Sequence, residues 1–150
     1  VDVTINQLKS SLKTGERLLG IDMGSKTIGL ALSDITLTIA TPLETIRRTK
    51  FKIDVERMRD IVNEHGIKGF VLGLPLNMDG TEGSRCQSTR AFAENLVEKI
   101  DLPLAFWDER LSTAAVTRTL IEADVTRKGR KQVVDKMAAA FILQGALDVY

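Results

Sequence analysis

The chain has 150 residues, enough for one domain with a substantial core and too few for two ordinary ones. Hydrophobic residues make up 43% and charged residues 27%, and 21 Lys and Arg stand against 20 Asp and Glu, which excludes a polycationic binder. No uninterrupted apolar run approaches the ~20 residues of a membrane span, and a single cysteine, Cys86, excludes an intrachain disulfide and suits a reducing cytoplasm.

Residues 1–17, VDVTINQLKSSLKTGER, read as a polar N-terminal extension without the apolar core of a signal peptide, ahead of one domain over 18–150. Residues 18–23 and 28–34 read as short apolar strands joined through GSKT, a hairpin pattern. LTIATPLETI (37–46) reads as a third strand, which Pro42 places at an edge or at a bulge. FKIDVERMRDIVNEH (51–65) carries Val55, Met58, Ile61 and Val62 at helical spacing, with Gly66 as a stop. KGFVLGL (68–74) is a continuous apolar run of the buried parallel kind, followed by a turn-rich loop, PLNMDGTEG.

EGSRCQSTRAFAENLVEKI (82–100) predicts a helix with Phe92, Leu96 and Ile100 on one face, and LPLAFWDE (102–109) a further strand. Ser112 is placed to cap a helix over STAAVTRTLIEA. DVTRKGRK (124–131) breaks the pattern and reads as a mobile loop before a last helix starting near Gln132. A three-strand meander followed by strands alternating with helices predicts an α/β domain. Its sheet is five-stranded and mixed, with helices on both faces and ligands beyond the carboxyl ends of the parallel strands.

Three acidic sites interrupt this apolar framework. Asp22 ends the first strand, Asp108 and Glu109 end the last, and Asp135 lies in the apolar helix VVDKMAAAFILQGALDVY, over Ala138, Ala139 and Ile142. Each has an ordinary reading: a turn acceptor for Asp22, helix capping for the DE pair, a favourable dipole for Asp135. Gathered at one edge they repel unless cations intervene, and oxygen-only donors suit Mg²⁺ or Mn²⁺. Two such ions ~3.5–4 Å apart can activate water and stabilise the leaving oxygen of a phosphodiester. His65 is the only histidine, so no Ser–His–Asp set exists; it falls at a helix C-terminus, and Cys86 reads as structural. No CxxC or HExxH spacing supports zinc. The basic runs RRTKFK (47–52) and TRKGRK (126–131) are either solvated loops or phosphate contacts.

LLGIDMGSKTIGLALSD, VLGLPLNMDGTEG, FWDERLSTAAV and VDKMAAAFILQGAL, in this order, resemble the YqgF/RuvX family from about Leu18 to Tyr150. The resemblance implies a ribonuclease H-like fold and nuclease activity, either in 5′-end processing of pre-16S ribosomal RNA or in Holliday-junction resolution. It places the family's acids on Asp22, on the Asp108–Glu109 pair and on Asp135, with one or two Mg²⁺ or Mn²⁺ ions held by Asp22, Glu109 and Asp135. Alternation along a strand puts Asp108 and Glu109 on opposite faces and favours Glu109; a strand ending at Trp107 lets both reach. Related resolvases carry an acid on the strand beside the first one, whereas VLGLPLN offers none before Asp79, so the DER acid has to substitute. Ser25, Lys26 and Arg85 are candidate phosphate contacts, and Lys26 or Arg110 is a candidate for steadying developing charge. Arg127, Lys128, Arg130 and Lys131 are candidates to clamp RNA or DNA over the metals.

The leading expectation is a cytoplasmic hydrolase acting on structured RNA or branched DNA, as monomer or homodimer. Water would attack in line with the leaving 3′ oxygen and leave a 5′-phosphate. A second class is a non-catalytic nucleic-acid-binding factor on the same fold, suggested by the missing central-strand acid. A third is an ATP-binding domain, because DMGSKTIG also resembles the first phosphate loop of the actin and sugar-kinase superfamily; those proteins need two such domains, and 150 residues supply one.

Overall fold

The computed structural model describes residues 3–111 and 127–149, with side chains in the second stretch from Lys136 onward. The expected helix over STAAVTRTLIEA, with Ser112 as its cap, lies outside the described residues.

Strands β1 (Arg17–Met23), β2 (Thr27–Ser33) and β3 (Ala40–Arg47) form an antiparallel meander. β4 (Ile67–Leu74) pairs parallel with β1, and β5 (Leu104–Asp108) parallel with β4. The spatial order is β3-β2-β1-β4-β5, so β1 is the middle strand. Its near-continuous apolar sequence follows from burial on both faces. Pro42 sits on the edge strand β3 and beside a register shift between Leu30 and Ala31, where its missing N–H breaks no interior ladder. β3 starts at Ala40 rather than at 37, because the Asp34 carboxylate accepts from the Thr38 and Ile39 N–H groups and holds those residues in a turn.

Helices α2 (Phe51–His65) and α3 (Ser84–Lys99) cover one face of the sheet. The α2 periodicity resolves as expected: Val55, Met58, Ile61 and Val62 are buried, and Gly66 ends the helix at φ 65°, a left-handed conformation that costs glycine little. Phe92 of α3 meets Phe51 of α2 edge to face at 5.9 Å. α3 begins at Ser84 rather than 82, and Glu82 folds back onto Arg90 at 2.7 Å.

The other face carries α1 (Ile5–Ser11) and α4 (Arg127–Leu147). The N-terminal stretch is built into this layer. Thr4 and Gln7 form a capping box, and Leu8 is fully buried against Leu18 and α4. Lys9 Nζ donates to the Leu147 and Val149 carbonyls at 2.8 and 2.6 Å, tying α1 to the end of α4. α4 approaches β1 so closely that a Cβ on Gly20 would stand 2.7 Å from Leu143 Cβ and 3.0 Å from the Ala139 carbonyl oxygen. The helix starts at Arg127, five residues before the expected Gln132, so residues 127–131 are not a loop. Arg, Lys and Gln propagate helix well without an apolar face to mark them, and Gly129 alone does not stop it.

Candidate active site

Two residues per side-chain repeat fix which strand positions look toward α4. Leu18, Ala31, Val71 and Ala105 all belong to the α4 layer, and Gly20 meets α4 directly. Asp22 continues that series at the carboxyl end of β1 and is only 4% exposed. It lies opposite Gly29 on β2. On the other side Ile21 pairs with Leu72, which makes Gly73 the β4 position alongside Asp22.

The space over Gly73 is taken by Ile142 of α4 and by Glu109 in the turn after β5. A Cβ on Gly73 would come within 2.9 Å of Glu109 Oε1 and would also strike Ile142 of α4. Adjacent strands run ~4.8 Å apart. Asp22 and Glu109 therefore flank one glycine on one face of the sheet, from β1 and from the turn that ends β5.

Asp108 takes the other face. Leu104 and Phe106 pack into the α2–α3 layer while Ala105 and Trp107 pack into the α4 layer, and β5 continues through Asp108. Its carboxylate is engaged by Arg110, through the backbone N–H at 2.9 Å and the guanidinium at 2.7 Å. That pairing holds the Asp108 carboxyl below its usual range, since both bonds favour the charged form. Arg110 also donates to the Met78 carbonyl at 3.3 Å, so it clamps the loop after β4 onto the end of β5. Arg110, a candidate for nucleic-acid contact and for steadying developing charge, has its guanidinium paired within the protein. The reason is local: Asp108 lies two residues back, within easy reach of a long cation.

α4 runs antiparallel to β1, since Gln144 accepts from the Ala40 N–H at the start of β3, level through β2 with the start of β1, while Ala139 and Leu143 lie by Gly20. Four residues of helix rise about 6 Å and two residues of strand about 6.6 Å, so with Gly20 level with the stretch from Ala139 to Leu143 the Asp135 backbone falls within about one helical turn of the level of Asp22. The Asp135 side chain lies outside the described residues, as do those of Arg127, Lys128, Arg130 and Lys131. Among the described residues no three His, Cys, Asp or Glu side chains gather into a metal-holding group. The two described carboxylates present only oxygen donors, the donor chemistry that suits a hard divalent cation.

Ser25 and Lys26 occupy the tip of the β1–β2 turn, closed by Gly24 N–H donating to the Thr27 carbonyl at 2.8 Å. Arg48, just past β3, braces it twice: its N–H donates to the Lys26 carbonyl and its Nη1 to the Gly24 carbonyl, each at 2.8 Å. Opposite stands Arg85 in the first turn of α3. The cleft between them holds about 290 Å³. Arg48 was legible only as one member of RRTKFK; no local signal joins it to Arg85, 37 positions away.

The five-stranded mixed sheet, with a buried acid at the carboxyl end of its middle strand, defines a ribonuclease H-like resolvase fold. T. thermophilus RuvC in complex with a Holliday junction substrate has the same fold, with a TM-score of 0.52 at 12% identity over 85% of this chain and 91% of that one. The family model of RuvX, described as "Holliday junction resolvase", matches residues 16–149, and the chain belongs to that family. A protein of Paramagnetospirillum magneticum named "Putative pre-16S rRNA nuclease" is 64% identical over 142 residues, 95% of this chain and 92% of that protein. One of Roseobacter denitrificans with the same name is 58% identical over 141 residues, 93% of this chain and 86% of that protein.

Proposed function

We propose that the chain is a metal-dependent phosphodiesterase acting on structured nucleic acid in the cytoplasm, with 5′-end maturation of pre-16S rRNA as its task. The observation that carries this reading is the placement of Asp22 and Glu109 on either side of Gly73 at the carboxyl edge of the sheet. The names of the relatives support RNA as substrate.

Asp22, Glu109 and Asp135 are the residues that would hold Mg²⁺ or Mn²⁺. When bound, such an ion supplies Lewis acidity toward a phosphoryl oxygen and lowers the pKa of water. The chain's own part is to fix the carboxylates and to seat the strand. Burial of Asp22 between two glycine-bearing strands holds its orientation, and Ile142 closes the floor beside Gly73. Ser25, Lys26 and Arg85 contact the substrate backbone from the β1–β2 turn and from α3, and Arg127, Lys128, Arg130 and Lys131 do so from the start of α4. In-line attack by water on this arrangement leaves a 5′-phosphate.

A second reading keeps the chemistry and changes the substrate. The family description and the RuvC-like fold favour cleavage of branched DNA, which calls for a homodimer because two symmetric cuts need two sites. A binding factor without catalysis is less favoured, because the approach of Glu109 to Gly73 supports the reading that the acid after β5 substitutes for one on β4. The test is cleavage of 5′-extended pre-rRNA and of a four-way junction by wild type and Asp22→Asn, in Mg²⁺, Mn²⁺ and EDTA. The reading expects RNA cleavage lost in the variant and in EDTA. Equal cleavage by both proteins overturns it.

A further inference from the structure

The cleft between the β1–β2 turn and the start of α3 presents Arg48, Arg85, Ser25, Ser84 and Ser88, and no carboxylate among its lining residues. Arg57, Arg59, Arg90 and Arg110 each reach a carboxylate. Among the described residues Arg48 and Arg85 reach none. Arg48 is also held in place, because the bonds to Lys26 and Gly24 use its backbone N–H and Nη1 and leave Nη2 and Nε for the cleft. Ser84 and Ser88 stand one turn apart at the start of the 16-residue α3, whose N-cap is Gly83 and contributes no side-chain bond. Ser88 Oγ donates to the Ser84 carbonyl at 3.1 Å, which leaves the braced Arg48 guanidinium, the Arg85 guanidinium and the Ser25 and Ser84 hydroxyls, with no acid, to suit an oxyanion of tetrahedral shape.

Position decides which oxyanion. Met23 faces the α2–α3 layer and Asp22 the α4 layer, so the cleft and the acids lie on opposite sides of the same sheet edge. Asp22 and Ser25 are three positions apart, a chain span of at most about 11 Å. A nucleic-acid strand crossing the end of β1 sets one phosphate beside the acids and a neighbouring one in the cleft.

We propose that the Arg48–Arg85 cleft is a subsite for an internal backbone phosphate next to the one cleaved, holding the strand in register. This rests on the nuclease reading. The cations act by binding and alignment away from the reacting atoms, so their loss raises KM more than it lowers kcat.

The test is fluorescence anisotropy of a labelled RNA hairpin with a single-stranded 5′ extension, titrated with the full chain in EDTA over a salt series. Arg85→Ala and Arg48→Ala are compared with wild type and with Lys68→Ala, the same charge change at the opposite end of β4. Each cleft variant is expected to weaken binding about tenfold and to flatten the dependence of log K on log salt by about 0.7–0.9. Lys68→Ala and Arg48→Lys are expected to keep the wild-type slope. Arg85→Ala guards against a folding artefact, since the Arg85 side chain holds no other part of the described chain. If both alanine variants behave like Lys68→Ala, the subsite is overturned while Asp22-dependent cleavage still stands. If wild type shows no salt-dependent binding, both readings fall. RNAs with and without a 5′-phosphate separate the two sources of phosphate. An equal loss on both supports the internal site, and a loss confined to the phosphorylated RNA overturns it.

Discussion

The Glu109 carboxylate lies over Gly73, with Oε1 2.9 Å from the point where a Cβ would stand on that glycine. This relationship explains how an acid from the outermost strand reaches the neighbourhood of Asp22 although β4 intervenes. The middle parallel strand supplies an absence of side chain, and β5 supplies the charge. A family member lacking an acid on β4 thus carries Asp22 and Glu109 on the same face of the sheet, either side of β4.

Gly73→Ala tests this directly. The new methyl group meets Glu109 and Ile142 together, and a buried clash of this kind costs about 1–3 kcal/mol. Urea unfolding should show a lower midpoint with unchanged slope, and cleavage should fall further than the lost stability accounts for, because Glu109 is displaced.

The acid pair of DER should separate by function. Glu109→Gln is expected to lower kcat about 10²–10³-fold, while Asp108→Asn leaves kcat within a few fold, since Asp108 faces away and serves Arg110. Single-turnover cleavage at saturating enzyme measures both.

The Asp108–Arg110 pair also carries a pH signature. The Asp108 carboxyl is held low by the Arg110 guanidinium, so the unfolded chain binds a proton more readily than the folded one. The pair's contribution to stability is present above the unfolded value of about 3.9 and lost as pH falls through the lower folded value. Below pH 4, Asp108→Asn should lose stability less steeply than wild type in acid-titrated thermal melts.

Lys9 links the first helix to the last. Lys9→Met keeps the stem but removes both bonds to the Leu147 and Val149 carbonyls, an expected loss of about 1–2 kcal/mol. Hydrogen exchange should rise first in α1 and at the end of α4.

Much of this layout was legible in the sequence because burial enforces periodicity. Val55, Met58, Ile61 and Val62 marked α2, and KGFVLGL marked a strand covered on both faces. Asp22 stood out because a carboxylate inside an apolar strand is costly without a partner. Alternation separated Glu109 from Asp108, and the structure puts them on opposite faces. Other features depend on contacts no local pattern encodes. Arg48 and Arg85 come from separate segments, and the packing over Gly73 depends on Glu109 after β5 and Ile142 of α4 as well as on β4. α1 was legible in principle, since Thr4-x-x-Gln7 is a capping-box pattern, but seven residues with one fully buried leucine leave little apolar signal. The early start of α4 was hidden because Arg127–Lys131 propagate a helix through propensity, without an apolar stripe.

The most direct measurement of the central claim is a crystal structure of the protein soaked in Mn²⁺, read by anomalous difference density. A peak bridging the carboxylates of Asp22, Glu109 and Asp135 is expected, and its loss in Asp22→Asn crystals soaked identically. Full Mn²⁺ occupancy elsewhere, with Asp22 and Glu109 apart and no density between them, would contradict it.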